Sequence, residues 1–400
     1  MTLPEISPAA RADHHRWLLE LTALPTASGK EHRVIAWITR WCAQRPEIAL
    51  TPDPSGNLVL HFKSAAPSNR PIFFTAHLDH PAFVVERLVA PGTVELSFRG
   101  GVMDDYFTKA RIVIHDAQGH THRAVLAEKS RAEGEGKPYA FYIAELESDS
   151  NPRQIAPGDV AVWDIGPAEI QDGILHTLGC DDLSAVAAAL AAFDQLLQQH
   201  RASPPDVRLL FTRAEEIGFI GAIAACKHGT LPRNARVIAL ENSRSFPDSP
   251  IGGGPIVRVG DRVSVFSPSL TDAIAKRAEQ VAGAPATPTA SQKLAAAGWK
   301  WQRKLMAGGA CEASVFYASG YEATCLCLPL GNYHNMADLT NVQAGLNTTP
   351  PTVGREFISV ADFDGLVDLL IACGISLPDG GGFPQRIEKL WNDRSFVLND

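Results

Sequence analysis

The spacing of apolar positions changes twice along this chain. Trp17, Leu18, Leu21 and Leu24 recur at helical spacing up to the Ser28-Gly29 break, and Glu31–Gln44 predicts a second helix. The turn signal Ser55-Gly56-Asn57 precedes an alternating strand, Leu58–Phe62. Pro71–Ala76 is continuously apolar, as expected of a strand covered on both faces. From about 84 to 166 the helical period disappears. Val94, Leu96 and Phe98 alternate with polar residues, as do Ile112 and Ile114. Tyr139–Leu146 and Val160–Ile165 are further short strands, with Pro91-Gly92, Gly100-Gly101 and Pro157-Gly158 between strands. Short strands and turn signals without a helix predict a small β-barrel or sandwich.

After Asp182 the helical period returns. Leu183–Gln199, Gly218–Lys227, Ser269–Ala282 and Phe363–Ala372 read as helices, and Val207–Thr212, Val237–Leu240 and Thr324–Leu328 as strands. The expected fold class is α/β, a mostly parallel central sheet with helices on both faces, interrupted by a small all-β barrel-like domain. Residues 1–83 and 167–400 would form the α/β domain and 84–166 the insertion. The tail after about Asp379 adds nothing to this pattern.

Composition narrows the function classes. With 45% hydrophobic and 20% charged residues, the chain can bury a large core, which excludes a disordered or fibrous protein. The formal charge of −8 and the lack of a basic run argue against nucleic acid or an anionic membrane as partner. The longest apolar run, around Ala185–Phe193, falls short of the ~20 residues of a spanning helix. The N-terminus lacks the apolar stretch of a secretory signal. Seven Cys, an odd number with no CxxC, fit the reduced thiols of a cytoplasmic protein. The glycine runs at 133–137, 252–254 and 380–382 lack phosphate-loop spacing and read as turns.

Candidate chemistry gathers at the ends of the predicted strands, where open α/β sheets bind ligands. His77-Leu78-Asp79 places an imidazole and a carboxylate on one side of the chain; alone, it is more simply a structural histidine. Asp181-Asp182 opens a helix, where a single cap would need only one Asp. Glu215-Glu216 could divide the work of metal ligand and proton acceptor, or merely favour a helix start. Glu241 ends a strand, and His334 follows a Pro-Leu-Gly turn. Together they supply five ligands and one spare carboxylate, which is what a dinuclear hydrolytic site requires. Nitrogen and carboxylate donors without Cys suit zinc, cobalt or manganese.

These motifs also carry a resemblance. F-T-A-H-L-D-H at Phe74–His80, G-C-D-D-L-S-A-V at Gly179–Val186, A-E-E-I-G-F-I-G-A at Ala214–Ala222, G-G-A-C-E-A at Gly308–Ala313 and Y-H-N at Tyr333–Asn335 resemble the glutamyl aminopeptidase-like (tetrahedral aminopeptidase) family of dinuclear zinc exopeptidases. The 104 residues between His77 and Asp181 fit that family's placement of a β-barrel-like domain between its first His and its Asp pair.

The resemblance implies a metallo-aminopeptidase acting on peptide N-termini, with two divalent ions, zinc foremost. His77, Asp181 and Glu241 would hold one ion. Asp181, Glu216 and His334 would hold the other, with Asp181 bridging. Glu215 would be the general base on a metal-bridging water. Asp79 would orient His77, and Asp182 would follow a cis peptide bond. His80, Gly308, Gly309 and Glu312 fall at the substrate pocket. The chain departs from the pattern at Glu241 (usually Asp), His80 (usually acidic), Leu183 (usually Arg) and Gly308–Glu312 (usually G-G-T-D). Homo-oligomers, dimers or hollow dodecamers, are expected. The alternatives are an amidohydrolase of the acylase or carboxypeptidase type and an inactive peptide-binding relative.

Overall fold

A computed structural model describes residues 3–131, 138–285, 298–378 and 383–398. The glycine runs at 133–137 and 380–382 lie outside the described residues. Ser7 caps helix α1 (Pro8–Thr22) through the N–H of Ala10, and α2 (His32–Ala43) buries Val34, Trp37, Ile38 and Trp41. A hairpin of β1 (Ile48–Pro52) and β2 (Leu58–Phe62) leads into β3 (Ile72–His77), which is buried at every position.

Six strands then close into an antiparallel barrel: β4 (Ala82–Ala90), β5 (Thr93–Arg99), β6 (Arg111–His115), β7 (Thr121–Arg131), β8 (Ala140–Leu146) and β9 (Val160–Trp163). The barrel has its own core, in which Phe83, Phe98, Phe107, Tyr142 and Trp163 meet. Phe83 meets Phe98 edge-on at 4.8 Å, and Phe107 stacks on Tyr142 at 4.3 Å. Such pairs add to the stabilisation from area burial alone.

The chain returns through β10 (Glu169–Gln171) and β11 (Ile174–Thr177) to α3 (Leu183–Gln199). This Ala-rich helix is buried from Leu183 to Leu197, between the sheet and its helical neighbours. There follow β12 (Val207–Thr212), α4 (Ile220–His228), β13 (Arg236–Arg244), β14 (Ile256–Gly260), α5 (Pro268–Ala282), β15 (Gln302–Leu305), α6 (Glu312–Ala318) and β16 (Glu322–Leu330). The last elements are α7 (Leu339–Ala344), β17 (Glu356–Ser359), α8 (Val360–Ile375) and α9 (Phe383–Arg394).

The main sheet has the order β1-β2-β12-β3-β13-β16-β14-β15, and β12, β3, β13 and β16 run parallel. Both faces of these central strands are covered. Phe73, Leu210 and Val237 pack with α4 and α6, while Phe74, Leu209 and Ile238 pack into the large core beneath α1, α3, α5 and α8. That accounts for the unbroken apolar run seen in the sequence. β13 extends beyond the predicted Leu240, because β16 stays paired with it from Glu241↔Cys327 to Arg244↔Leu330. Glu241 therefore sits inside a strand, which fixes its backbone. A small sheet, β10-β11-β17, closes the return from the barrel. All seven Cys are free thiols. Among the described residues no helix is long and apolar enough to cross a membrane.

Candidate metal centre

The parallel strands end at one edge, and the predicted residues converge there. His77 is the last residue of β3. Glu215 and Glu216 follow β12, Glu241 lies on β13, and His334 lies just beyond β16. Asp181 sits between the two histidines: Oδ1 is 3.3 Å from His77 Nε2, and Oδ2 is 3.5 Å from His334 Nε2. His77 Nε2 also lies 3.7 Å from Glu241 Oε1 and 3.9 Å from Glu215 Oε2. His334 Nε2 lies 3.4 Å from Glu216 Oε2. The donor atoms of His77, Asp181 and Glu241 fall within 4.8 Å of one another, as do those of Asp181, Glu216 and His334.

This arrangement fits cations. Asp181 Oδ1 and Glu216 Oε1 are buried without a hydrogen-bond partner, a costly state for carboxylate oxygens unless an ion satisfies them. Burial pushes the Glu215 carboxyl well above its ordinary range; His77 opposes this, and the Glu241, Glu216 and Glu312 carboxylates add to it. Burial and Asp181 do the same to Glu241. Burial would raise Asp181 too, but its contacts with His334 and His77 hold it low. Positive charge between these groups would relieve the repulsion.

Each imidazole has its other nitrogen engaged. His77 Nδ1 donates to the main-chain oxygen of Asp79 at 3.1 Å, and His334 Nδ1 to that of Gly101 at 2.6 Å. Both leave Nε2 facing the centre, the arrangement of ligating histidines. The Asp79 carboxylate, in the resemblance the group that orients His77, lies 3.6 Å from Nδ1. The shorter contact is the main-chain one. The Asp79 carboxylate instead accepts the N–H groups of Glu215 (3.0 Å) and Glu216 (3.1 Å) and the Ser28 hydroxyl (2.5 Å).

The Asp181-Asp182 peptide is cis. Asp182 makes no capping bond to α3; its Oδ2 accepts the N–H of His77 at 3.2 Å.

An open cleft of about 660 Å³ extends from the centre, lined among others by Gly308, Gly309, Phe246, Met306, Tyr333, Arg244 and Arg258. Gly308 and Gly309 line this cleft. His80 and Glu312 are not among its lining residues, which corrects their assignment to the pocket. His80 is buried behind the ligands, its Nδ1 2.5 Å from the Asp181 carbonyl and its Nε2 3.0 Å from Asn335 Oδ1. Glu312 is buried at the start of α6, where burial raises its carboxyl to about 7. Both side chains belong to the packing beneath the site.

Two further buried residues stand beside the site without having been singled out from the sequence. Glu356 on β17 is fully buried and accepts the N–H groups of Cys180 (2.7 Å), Asp181 (3.0 Å) and His334 (2.8 Å), joining two ligand segments. A single Glu after a loop carries no signal of that role. Arg258 on β14 is buried against the cleft. Its donors reach the Ser243 hydroxyl (3.1 Å) and the main-chain oxygens of Gly260, Met306 and Gly309 (3.3 to 3.4 Å), but no carboxylate among the described residues. Here a signal existed, because Arg interrupts the otherwise apolar run Pro255–Val259.

Comparison with known proteins places the chain in a family and a fold. The family described as M42 glutamyl aminopeptidase matches residues 56–349. No curated protein matches the chain. The solved TET1 peptidase of Pyrococcus horikoshii is 20% identical, with a TM-score of 0.68 over 90% of this chain and 99% of the other. An aminopeptidase from the archaeon Desulfurococcus kamchatkensis is 19% identical, with a TM-score of 0.69 over 92% of this chain and 96% of the other. An M18-family aminopeptidase from Thermotoga maritima is 13% identical, with a TM-score of 0.58 over 92% and 96%.

Proposed function

The chain belongs to the M42 glutamyl aminopeptidase family, and from that premise we propose how its residues remove N-terminal residues from peptides. The protein is a metal-dependent aminopeptidase, an exopeptidase. In our reading His77, Asp181 and Glu241 hold one ion, and Asp181, Glu216 and His334 a second. Their nitrogen and oxygen donors, without sulfur, suit zinc, with cobalt or manganese as substitutes. Ions bound there supply Lewis acidity, which makes water more acidic and polarises the scissile carbonyl.

Glu215 then serves as general base. Its Oε2 lies 3.9 Å from His77 Nε2, and although His77, Glu215 and Glu216 could also gather round an ion, in our reading the two sets that share Asp181 hold the ions and leave Glu215 free. It takes a proton from the attacking water and passes it to the leaving amine.

Arg258 and Arg244 line the cleft beyond the centre without carboxylate partners among the described residues, and Arg244 is held by Gln343 and Thr340. They would receive an acidic first side chain, in keeping with the glutamyl specificity in the family's description. TET1 of P. horikoshii is described as assembling into a tetrahedron or a large octahedral shell, and by likeness this chain forms homo-oligomers.

The observation that carries this reading is the convergence of two three-ligand sets around one spare carboxylate. Its test is Glu215→Gln, assayed on aminoacyl-anilides and on N-acyl amino acids. The expected result is two bound ions per chain and turnover of the anilides reduced about 10²- to 10⁴-fold. Full activity in the variant, or a parent preference for N-acyl substrates, would overturn it.

A further inference from the structure

The two histidines of the centre are oriented from different places. The acceptor for His77 Nδ1 is the carbonyl of Asp79, two residues further along the chain, just past the end of β3. The acceptor for His334 Nδ1 is the carbonyl of Gly101, which lies between β5 of the barrel and the 3-10 turn Asp104–Phe107. A ligating imidazole must offer a lone pair at one nitrogen and carry its proton on the other, so the acceptor selects the tautomer. His77 obtains its acceptor locally, whereas His334 takes its acceptor from the inserted barrel.

The backbone at His334 also needs outside support. His334 has φ 53° and Asn335 φ 63°, with Asn332 at 52° two residues before His334, left-handed conformations that a histidine adopts only when its surroundings hold it. Glu356 holds the His334 N–H from below. The barrel holds the same segment from above. The Tyr106 hydroxyl, on a buried ring, donates to the Ala337 carbonyl at 2.7 Å, and Tyr106 packs with Met336 and Leu339. Gly100 seats the barrel loop: its φ is 142°, and a Cβ there would lie 2.6 Å from Pro81 Cβ.

We propose that the inserted barrel completes the metal centre, the Gly101 carbonyl setting the tautomer and orientation of His334. Retention of the ion held by Asp181, Glu216 and His334 then depends on how barrel residues 100–107 are seated, while the ion at His77 does not. Gly101 is a positioning residue acting through His334. The inference rests on the two-ion reading above.

The test is stepwise binding of Zn²⁺ and Co²⁺ to the full-length protein, by chelator competition, for the parent, Gly100→Ala and Tyr106→Phe. Gly100→Ala moves the loop. Tyr106→Phe only removes its grip on Ala337 and serves if the first variant folds poorly. The expected result is a loss of about 10- to 100-fold in affinity for one ion, with the other unchanged within about two-fold. In a His334→Ala background neither substitution should alter the remaining ion. Unchanged affinities for both ions, or equal weakening of both, would overturn the inference and leave the peptidase reading standing. A parent that binds no ion would overturn both.

Discussion

The carboxylate of Asp79 accepts the backbone N–H of Glu215 at 3.0 Å. Its other oxygen accepts that of Glu216 at 3.1 Å, so one buried side chain aims both the proposed base and a proposed ligand. Ala214, just before them, has φ 54°, so the peptide is held in a conformation it would otherwise leave. Asp79→Asn would turn a donor amide toward one of these N–H groups. We expect kcat to fall about 10- to 100-fold, with KM for an aminoacyl-anilide nearly unchanged. Steady-state kinetics on metal-replete enzyme would check this. A change confined to KM would mean that Asp79 acts on substrate binding instead.

Glu241 stands where the resembled family usually carries Asp. Its Oε1 accepts the Asn242 N–H at 3.1 Å and faces His77 Nε2 at 3.7 Å. The residue lies inside a paired strand, so the backbone cannot advance to compensate for a shorter side chain. Glu241→Asp should draw the carboxylate back by about 1.5 Å. Metal–ligand distances hold to about 0.2 Å, so one ion should bind much more weakly. Metal analysis after dialysis should find close to one ion per chain in the variant. Two ions held as tightly as in the parent would remove Glu241 from the ligand set.

What the sequence made legible follows from how each residue acts. His77, Asp181, Glu215, Glu216, Glu241 and His334 act through their side chains at strand ends, so chemistry and position coincide in the chain. Gly101 acts through a carbonyl, which any residue possesses. Glu356 acts by accepting three backbone N–H groups from distant segments, a relation that exists only after folding. In the barrel, β5 and β6 carry the alternation of Val94, Leu96 and Phe98 and of Ile112 and Ile114, and β8 and β9 read as short apolar strands. β4 and β7 carry no such signal, because register shifts at Val85/Arg87, Leu88/Ala90 and Leu126/Glu128 break the period of two. The charged β7 sequence concealed it further. An Asp at a helix start reads as a cap, yet the Asp182 carboxylate is drawn to the His77 N–H.

Arg258 provides the cleft with a buried cation whose hydrogen-bond partners among the described residues are neutral oxygens. A charge-assisted hydrogen bond to a substrate carboxylate contributes roughly 1.5 to 3 kcal/mol. Arg258→Gln should therefore lower kcat/KM for a glutamyl-anilide about 10- to 100-fold more than for an alanyl-anilide. The ratio between the two substrates separates recognition from any general effect on folding. A parent that favours alanyl or leucyl substrates would show that the cation serves another purpose.

Asp362, in the first turn of α8, accepts the N–H groups of Gly252 (2.7 Å) and Gly254 (2.8 Å), far in the chain from the metal ligands. Burial raises its carboxyl to about 6 from an ordinary 3.8, against the opposing pull of those two N–H groups. Between about pH 4 and pH 6 the folded protein thus keeps a proton that the unfolded chain has released. Stability contributed by this group is present in full below about pH 4 and is lost as pH rises through about 6. The loss amounts to roughly 3 kcal/mol at most. Asp362→Asn should flatten the fall in unfolding free energy across that window, measured from urea transitions at pH 4, 5, 6 and 7. Parallel curves for parent and variant would mean that Asp362 titrates alike in the folded and unfolded chain.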